Sequence, residues 1–158
     1  MGIIGVDSSG IVNDPPICMA AVRLKPKQKH RILYMSKNKH EEYKNKMYDG
    51  KKQNDEWRLK LSSALIFKSI ENLIKQNDII QIDTDFAGDR KKRVTHYIKK
   101  LFGNYYQGTP LENPEIQFVP PMHSDYVKEA DRKSKLARHK KIHKVNCPDL
   151  WDCIELLD

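Results

Sequence analysis

Cysteine is scarce in this chain and odd in number, with Cys18, Cys147 and Cys153 as the full set. They form no staple pattern, so reduced thiols in a cytoplasmic protein are expected rather than a disulfide framework. Cys147 and Cys153 have neither CxxC spacing nor a matching His pair, which argues against a zinc site. No apolar run approaches the roughly 20 residues that cross a bilayer, so no membrane partner is expected. The opening Gly2-Ile3-Ile4 has no basic region before it and no cleavage site, and no signal peptide is expected. A Gly-rich phosphate loop, a nucleophile elbow and a Ser/His/Asp order are all missing. So are internal repeats and low-complexity linkers, and residues 1–158 are expected to form a single domain. Nothing in the pattern specifies an oligomeric state.

What the chain has in quantity is positive charge. Lys and Arg number 29 against 21 Asp and Glu, a net charge of +8, while 39% of residues are hydrophobic. That balance suits a globular domain with an anionic partner, nucleic acid first. A solvated, Lys-rich surface is the plainer reading of the same charges.

The pattern of elements opens with strands. Residues 3–10 begin with a short apolar run, Ile3-Ile4-Gly5-Val6, that ends on Asp7 and a polar turn. Such a run is too short for a helix and reads as a buried strand. Residues 17–24 and 31–35 read as second and third strands, joined by so short a turn that they must be antiparallel. Residues 37–54 carry charges of both signs and read as either a mobile loop or a short exposed helix. Over 57–74, apolar residues fall at helical spacing from Trp57 through Leu61, Leu65 and Ile70 to Ile74. Ile79-Ile80-Gln81-Ile82-Asp83 repeats the logic of the opening. Asp89 is placed to cap a helix over 90–102. A fifth strand is expected at 116–119, a basic helix at about 130–145, and a short last helix after Pro148 with Trp151, Ile154 and Leu157 packed inward. A meander followed by strands alternating with helices predicts an α/β fold, a mixed five-stranded sheet flanked by helices. Right-handed crossovers then place the fourth strand beside the first, with Asp7 and Asp83 on neighbouring central strands.

Two carboxylates so placed repel each other, so one takes a proton or a cation neutralises both. Hard divalent ions such as Mg²⁺ or Mn²⁺ take oxygen ligands, and a pair of them can clamp the two oxygens of a phosphodiester displacement. A third acid is expected after the fifth strand, where Asp125 and Asp131 are placed for it. Taken singly, each Asp also suits a turn or a helix cap.

These residues carry a resemblance. Gly5-Val6-Asp7-Ser8-Ser9-Gly10, followed by Pro15-Pro16 and the apolar Ile17 to Val22, resembles the opening G-[IV]-D-E-A-G-R-G, turn and strand of type 2 ribonuclease H. Ile80-Gln81-Ile82-Asp83 resembles that family's later strand with its catalytic Asp. His123-Ser124-Asp125, then Ser134-Lys135-Leu136-Ala137-Arg138, resembles its H-x-A-D and S-I-L-A-K. The likeness spans most of residues 1–145 and implies a ribonuclease H-like fold. It implies that Asp7, Asp83 and Asp125 are catalytic metal ligands for Mg²⁺ or Mn²⁺, and that the substrate is RNA or an RNA/DNA hybrid. Ser8 stands where the family has Glu, and Gly10-Ile11-Val12 where it has Gly-Arg-Gly. A further acid is then sought among Asp85, Asp131 and Glu56.

Phosphate contacts are expected from Arg90, Lys91, Lys92 and Arg93 on one helix and from Arg132, Lys135, Arg138 and His139 on the other. His139 and His143 lie four apart, a metal-compatible spacing on a helix, but phosphate or solvent is their simpler partner. Tyr105-Tyr106 can stack on unpaired bases or pack on the sheet edge. Two functions remain in view: a metal-dependent nuclease acting on RNA, hybrid or branched nucleic acid, and a degenerate member of the same class that binds nucleic acid or assembles without cleaving.

Overall fold

The computed structural model of the chain describes residues 2–9, 15–48, 50, 56–83, 86, 88–139 and 142–158. A six-stranded mixed sheet has the order β5-β4-β1-β2-β3-β6. β1 (Ile3–Ser9), β2 (Ile17–Arg23) and β3 (Lys29–Met35) form the expected antiparallel meander. β4 (Ile79–Ile82) lies parallel to β1, and β5 (Glu115–Phe118) parallel to β4. The sixth strand, β6 (Val145–Asn146), corrects the expected count of five by pairing with the outer edge of β3. Two residues are too few to show periodicity, so this strand exists only through its long-range partner.

β2 explains the layering. All seven of its residues are buried, as expected of a strand covered on both faces. On one face Ile4, Val6, Ile17, Met19, Ile80 and Ile82 join the main core. That core is closed by α1 (Lys37–Met47), α2 (Glu56–Ile70), α3 (Asp89–Tyr105) and α5 (Trp151–Leu156). On the other face Cys18, Ala20, Val22 and Ile32 pack against Ala130 and Ala137 of a single helix, α4 (Asp125–Arg138).

Three helical boundaries differ from the sequence reading, each for a local reason. The polar stretch after residue 36 is helical over α1. Ser36 caps it by accepting from the Lys39 N–H (3.2 Å), and only His40 and Tyr43 turn inward. Gly88, with φ of 56°, caps α3 in place of Asp89, which enters the first turn. Glycine takes that backbone region without strain, and an acid in the first turn complements the helix dipole. α4 starts at Asp125 rather than near 130, because Ser124 accepts from the Val127 N–H (3.2 Å). It ends at Arg138, with the chain then diverted to sheet pairing at β6.

Tyr43 ties α1 to α5. The Leu150 N–H donates to its hydroxyl (2.8 Å), and its ring lies 4.7 Å from that of Trp151. Tyr43→Phe leaves a buried N–H without its partner and is expected to cost about 1–3 kcal/mol, read as a lowered urea midpoint. Burial pushes the Tyr43 phenol up to about 12, against the smaller opposing pull of the Leu150 N–H. The folded value lies above the ordinary value of about 10. Its stabilisation is therefore complete below pH ~10 and lost as pH rises through the folded value. Tyr43→Phe is expected to shallow that alkaline fall in urea titrations.

Candidate functional site

Asp7 is the fifth of the seven residues of β1. It faces α4, since its partner across β2 is Ala20, one of the residues packed under that helix. The strand runs two residues beyond it, so Asp7 lies within β1 rather than at its tip. Ile3 pairs with Ile79 and Val6 with Ile82, and the Asp83 N–H donates to the Val6 carbonyl (3.2 Å). Continuing that register sets Asp83 beside Asp7, one parallel-strand spacing of about 4.8 Å away. The two carboxylates the sequence pairs are thus adjacent on one face. Asp7 is 4% exposed, and its Oδ1 accepts the Ser8 N–H at 2.7 Å. Asp83 is half-buried.

Gly5 lets α4 come close enough to matter. A Cβ at Gly5 would overlap the Tyr126 carbonyl and lie 2.5 Å from the Val127 nitrogen. The helix start is also tied to β4, where the Ser124 hydroxyl donates to Gln81 Oε1 (2.5 Å) and Gln81 Nε2 donates to Gln117 Oε1 (3.2 Å). The other end of α4 is fixed by Lys144, which donates to the Ala137 carbonyl (2.6 Å) and lies 5.0 Å from the centre of the Tyr34 ring. Tyr34 pairs with Cys18, and Cys18 with Ser9. α4 therefore begins over Gly5 and ends near the far side of Ser9, and its middle passes Asp7. Its Glu129 flank faces the turn between β2 and β3, where Gln28 Nε2 donates to Glu129 Oε1 (3.4 Å). Asp131, Lys135 and Arg138 lie on the opposite flank, toward β1 and β4.

On that flank the Lys135 ammonium lies 2.9 Å from Asp131 Oδ2. Its pKa is raised above the usual lysine value, first by the hydrogen bond and charge of Asp131, then by the charges of Asp7 and Asp83. Three carboxylates thus act on one ammonium. Arg138 reaches the same end of the sheet: its charge and that of Lys144 act on the Cys18 thiol, which burial nevertheless pushes up.

The remaining candidates are dispersed. Asp125 is exposed in the first turn of α4, six residues before Asp131 and so about 9 Å along the axis. It lines an open groove of about 890 Å³ with Lys128, Arg132 and His139, which extends to Asp131 and Lys135. Glu56 is engaged by Arg93. Asp85 lies outside the described residues. Among the described residues, no three His, Cys, Asp or Glu side chains are grouped to hold a metal ion.

The basic residues divide by partner. Arg90, Lys91 and Lys92 stand in the first turns of α3, which leaves the same end of the sheet as Asp83. Lys91 lies 5.9 Å from the Phe118 ring centre. Arg93, Arg132 and Lys135 have carboxylate partners in Glu56, Glu129 and Asp131. The shared helix expected for His139 and His143 is absent: α4 ends at Arg138, with His139 as its C-cap. Tyr105 and Tyr106 pack on Phe67, and Tyr106 also stacks on Phe102, so their rings serve the helical layer.

Comparisons with protein-family models, curated proteins and solved structures find no match. Function has to be argued from the site. Two positioning features escaped the motif reading, Gly5 and the Ser124–Gln81 link. A glycine inside an apolar strand signals close backbone approach, and that signal was present in the sequence. The Ser124–Gln81 link joins residues 43 apart and has no local signature. No described helix is long and apolar enough to cross a membrane.

Proposed function

We propose that this protein is a Mg²⁺- or Mn²⁺-dependent nuclease of the ribonuclease H-like class, acting on RNA, an RNA/DNA hybrid or structured nucleic acid. The observation that carries the reading is the in-register placement of Asp7 and Asp83 beneath a basic helix. The meander, with two parallel strands added on the other side of β1, supports the same class. Paired carboxylates fit a hard cation by donor chemistry, and Asp131 is the third oxygen donor nearest to them by placement. Asp125 and Asp85 complete the ligand set that the resemblance implies.

Asp7 and Asp83 hold the cation and fix where the scissile phosphate must sit. A bound divalent ion supplies an activated water and neutralises charge on the phosphodiester. Arg90, Lys91 and Lys92 on α3, and Arg138 on α4, hold the phosphate backbone on either side. The buried floor around Asp7 limits solvent beneath the substrate.

The test is cleavage of labelled RNA, hybrid and branched DNA with Mn²⁺ or Mg²⁺ and with chelator. Divalent-dependent cleavage that Asp83→Asn removes supports the reading, and full activity in that variant ends it. Binding should weaken steeply with salt. Lys92→Ala should reduce the salt slope by about one, as loss of one phosphate contact does. A second reading, a nucleic-acid-binding or assembly protein without catalysis, draws on Ser8 in the place of an acid and on the Asp131–Lys135 pair. It predicts binding with no cleavage under any divalent condition.

A further inference from the structure

We propose that Lys135 is the resident counter-cation of the Asp7–Asp83 pair and that a divalent ion must displace it to load the site. The inference rests on the metal-site reading above and adds a competitor to it. Adjacent carboxylates on one sheet face are costly unless a cation offsets them. Gly5 and the Ser124–Gln81 link press the start of α4 onto β1 and β4, and Lys144 holds its end beside Tyr34. The flank that faces the acids then carries Asp131 and, one turn on, Lys135. Asp131 takes the ammonium at 2.9 Å and holds it on the acid side of the helix. The Lys135 side chain is nevertheless 64% exposed. A flexible four-carbon stem with a compact charge can swing to solvent, as a rigid guanidinium fork cannot so readily. In the motif likeness, the position of Lys135 corresponds to an apolar residue, so the charge is a property of this chain.

Held in this way, Lys135 neutralises the acids when no ion is bound and gives way when one binds. It is a positioning residue: it sets the charge of the empty site and the concentration at which the metal enters.

The test combines urea denaturation in chelator with titration calorimetry using Mn²⁺ alone, on the full chain. Lys135→Met is a substitution at an exposed position and should fold. Without metal it should lower the midpoint, while Asp7→Asn/Lys135→Met should recover part of the loss. Lys135→Arg, which keeps the charge, should retain the wild-type midpoint. In Lys135→Met the apparent Mn²⁺ Kd should tighten about two- to fivefold, the scale of one exposed ion pair lost as competitor. Additive losses in the double variant overturn the inference, as does an unchanged or weaker Mn²⁺ affinity in Lys135→Met. Absence of Mn²⁺ binding in the wild type overturns the metal-site reading itself, and the displacement with it.

Discussion

Asp7→Asn is expected to remove divalent-dependent cleavage by on the order of 10³-fold, the rate equivalent of several kcal/mol of lost metal-based stabilisation. The substitution is nearly isosteric, and an amide oxygen can still accept the Ser8 N–H now held at 2.7 Å. The fold should therefore survive. Relief of the repulsion with Asp83 should leave the metal-free protein no less stable. Nucleic-acid binding should stay close to wild type, because the cations of α3 and α4 are untouched. Thermal scans give an independent readout. At Mn²⁺ about 100-fold over Kd, a native-state site adds about 2.7 kcal/mol to stability, and the variant should lose most of that gain. Cleavage at the wild-type rate in Asp7→Asn would remove Asp7 from the chemistry.

Gly5→Val is expected to have the largest effect on stability. Its Cβ would enter the backbone of Tyr126 and Val127, and backbone at the start of a capped helix cannot rotate aside as a side chain can. Overpacking of this kind costs about 3 kcal/mol or more, a large share of the roughly 5–15 kcal/mol that holds a domain folded. The urea midpoint should fall accordingly. Because α4 carries Asp131, Lys135 and Arg138, the same change should also weaken Mn²⁺ binding. Gly5→Ala should lie between the two, since the overlap begins at the Cβ. An unchanged midpoint for Gly5→Val would mean that α4 does not dock on β1 at this point.

Both predictions rest on features that differ in how far the sequence reveals them. The strands at Ile3, Ile17 and Ile79 were legible, because apolar runs bounded by turn residues leave few alternatives to a buried strand. Asp7 and Asp83 were legible as a pair, because a parallel crossover has one favoured hand. α1 was not, since only His40 and Tyr43 on it turn inward and two apolar contacts make no periodic signal. The start of α4 was displaced by five residues because its cap, Ser124, sits in a Pro-rich stretch that reads as loop.

By itself the sequence determined the layered α/β arrangement, the basic surface and the adjacency of two carboxylates, since these follow from local periodicity and crossover handedness. Only the tertiary structure decided which flank of α4 meets them. Helical spacing puts Asp131 and Lys135 on one side of the helix and Glu129 and Lys133 on another. Which side turns toward Asp7 is set by Gly5, Gln81 and Lys144, through contacts between residues far apart in the chain.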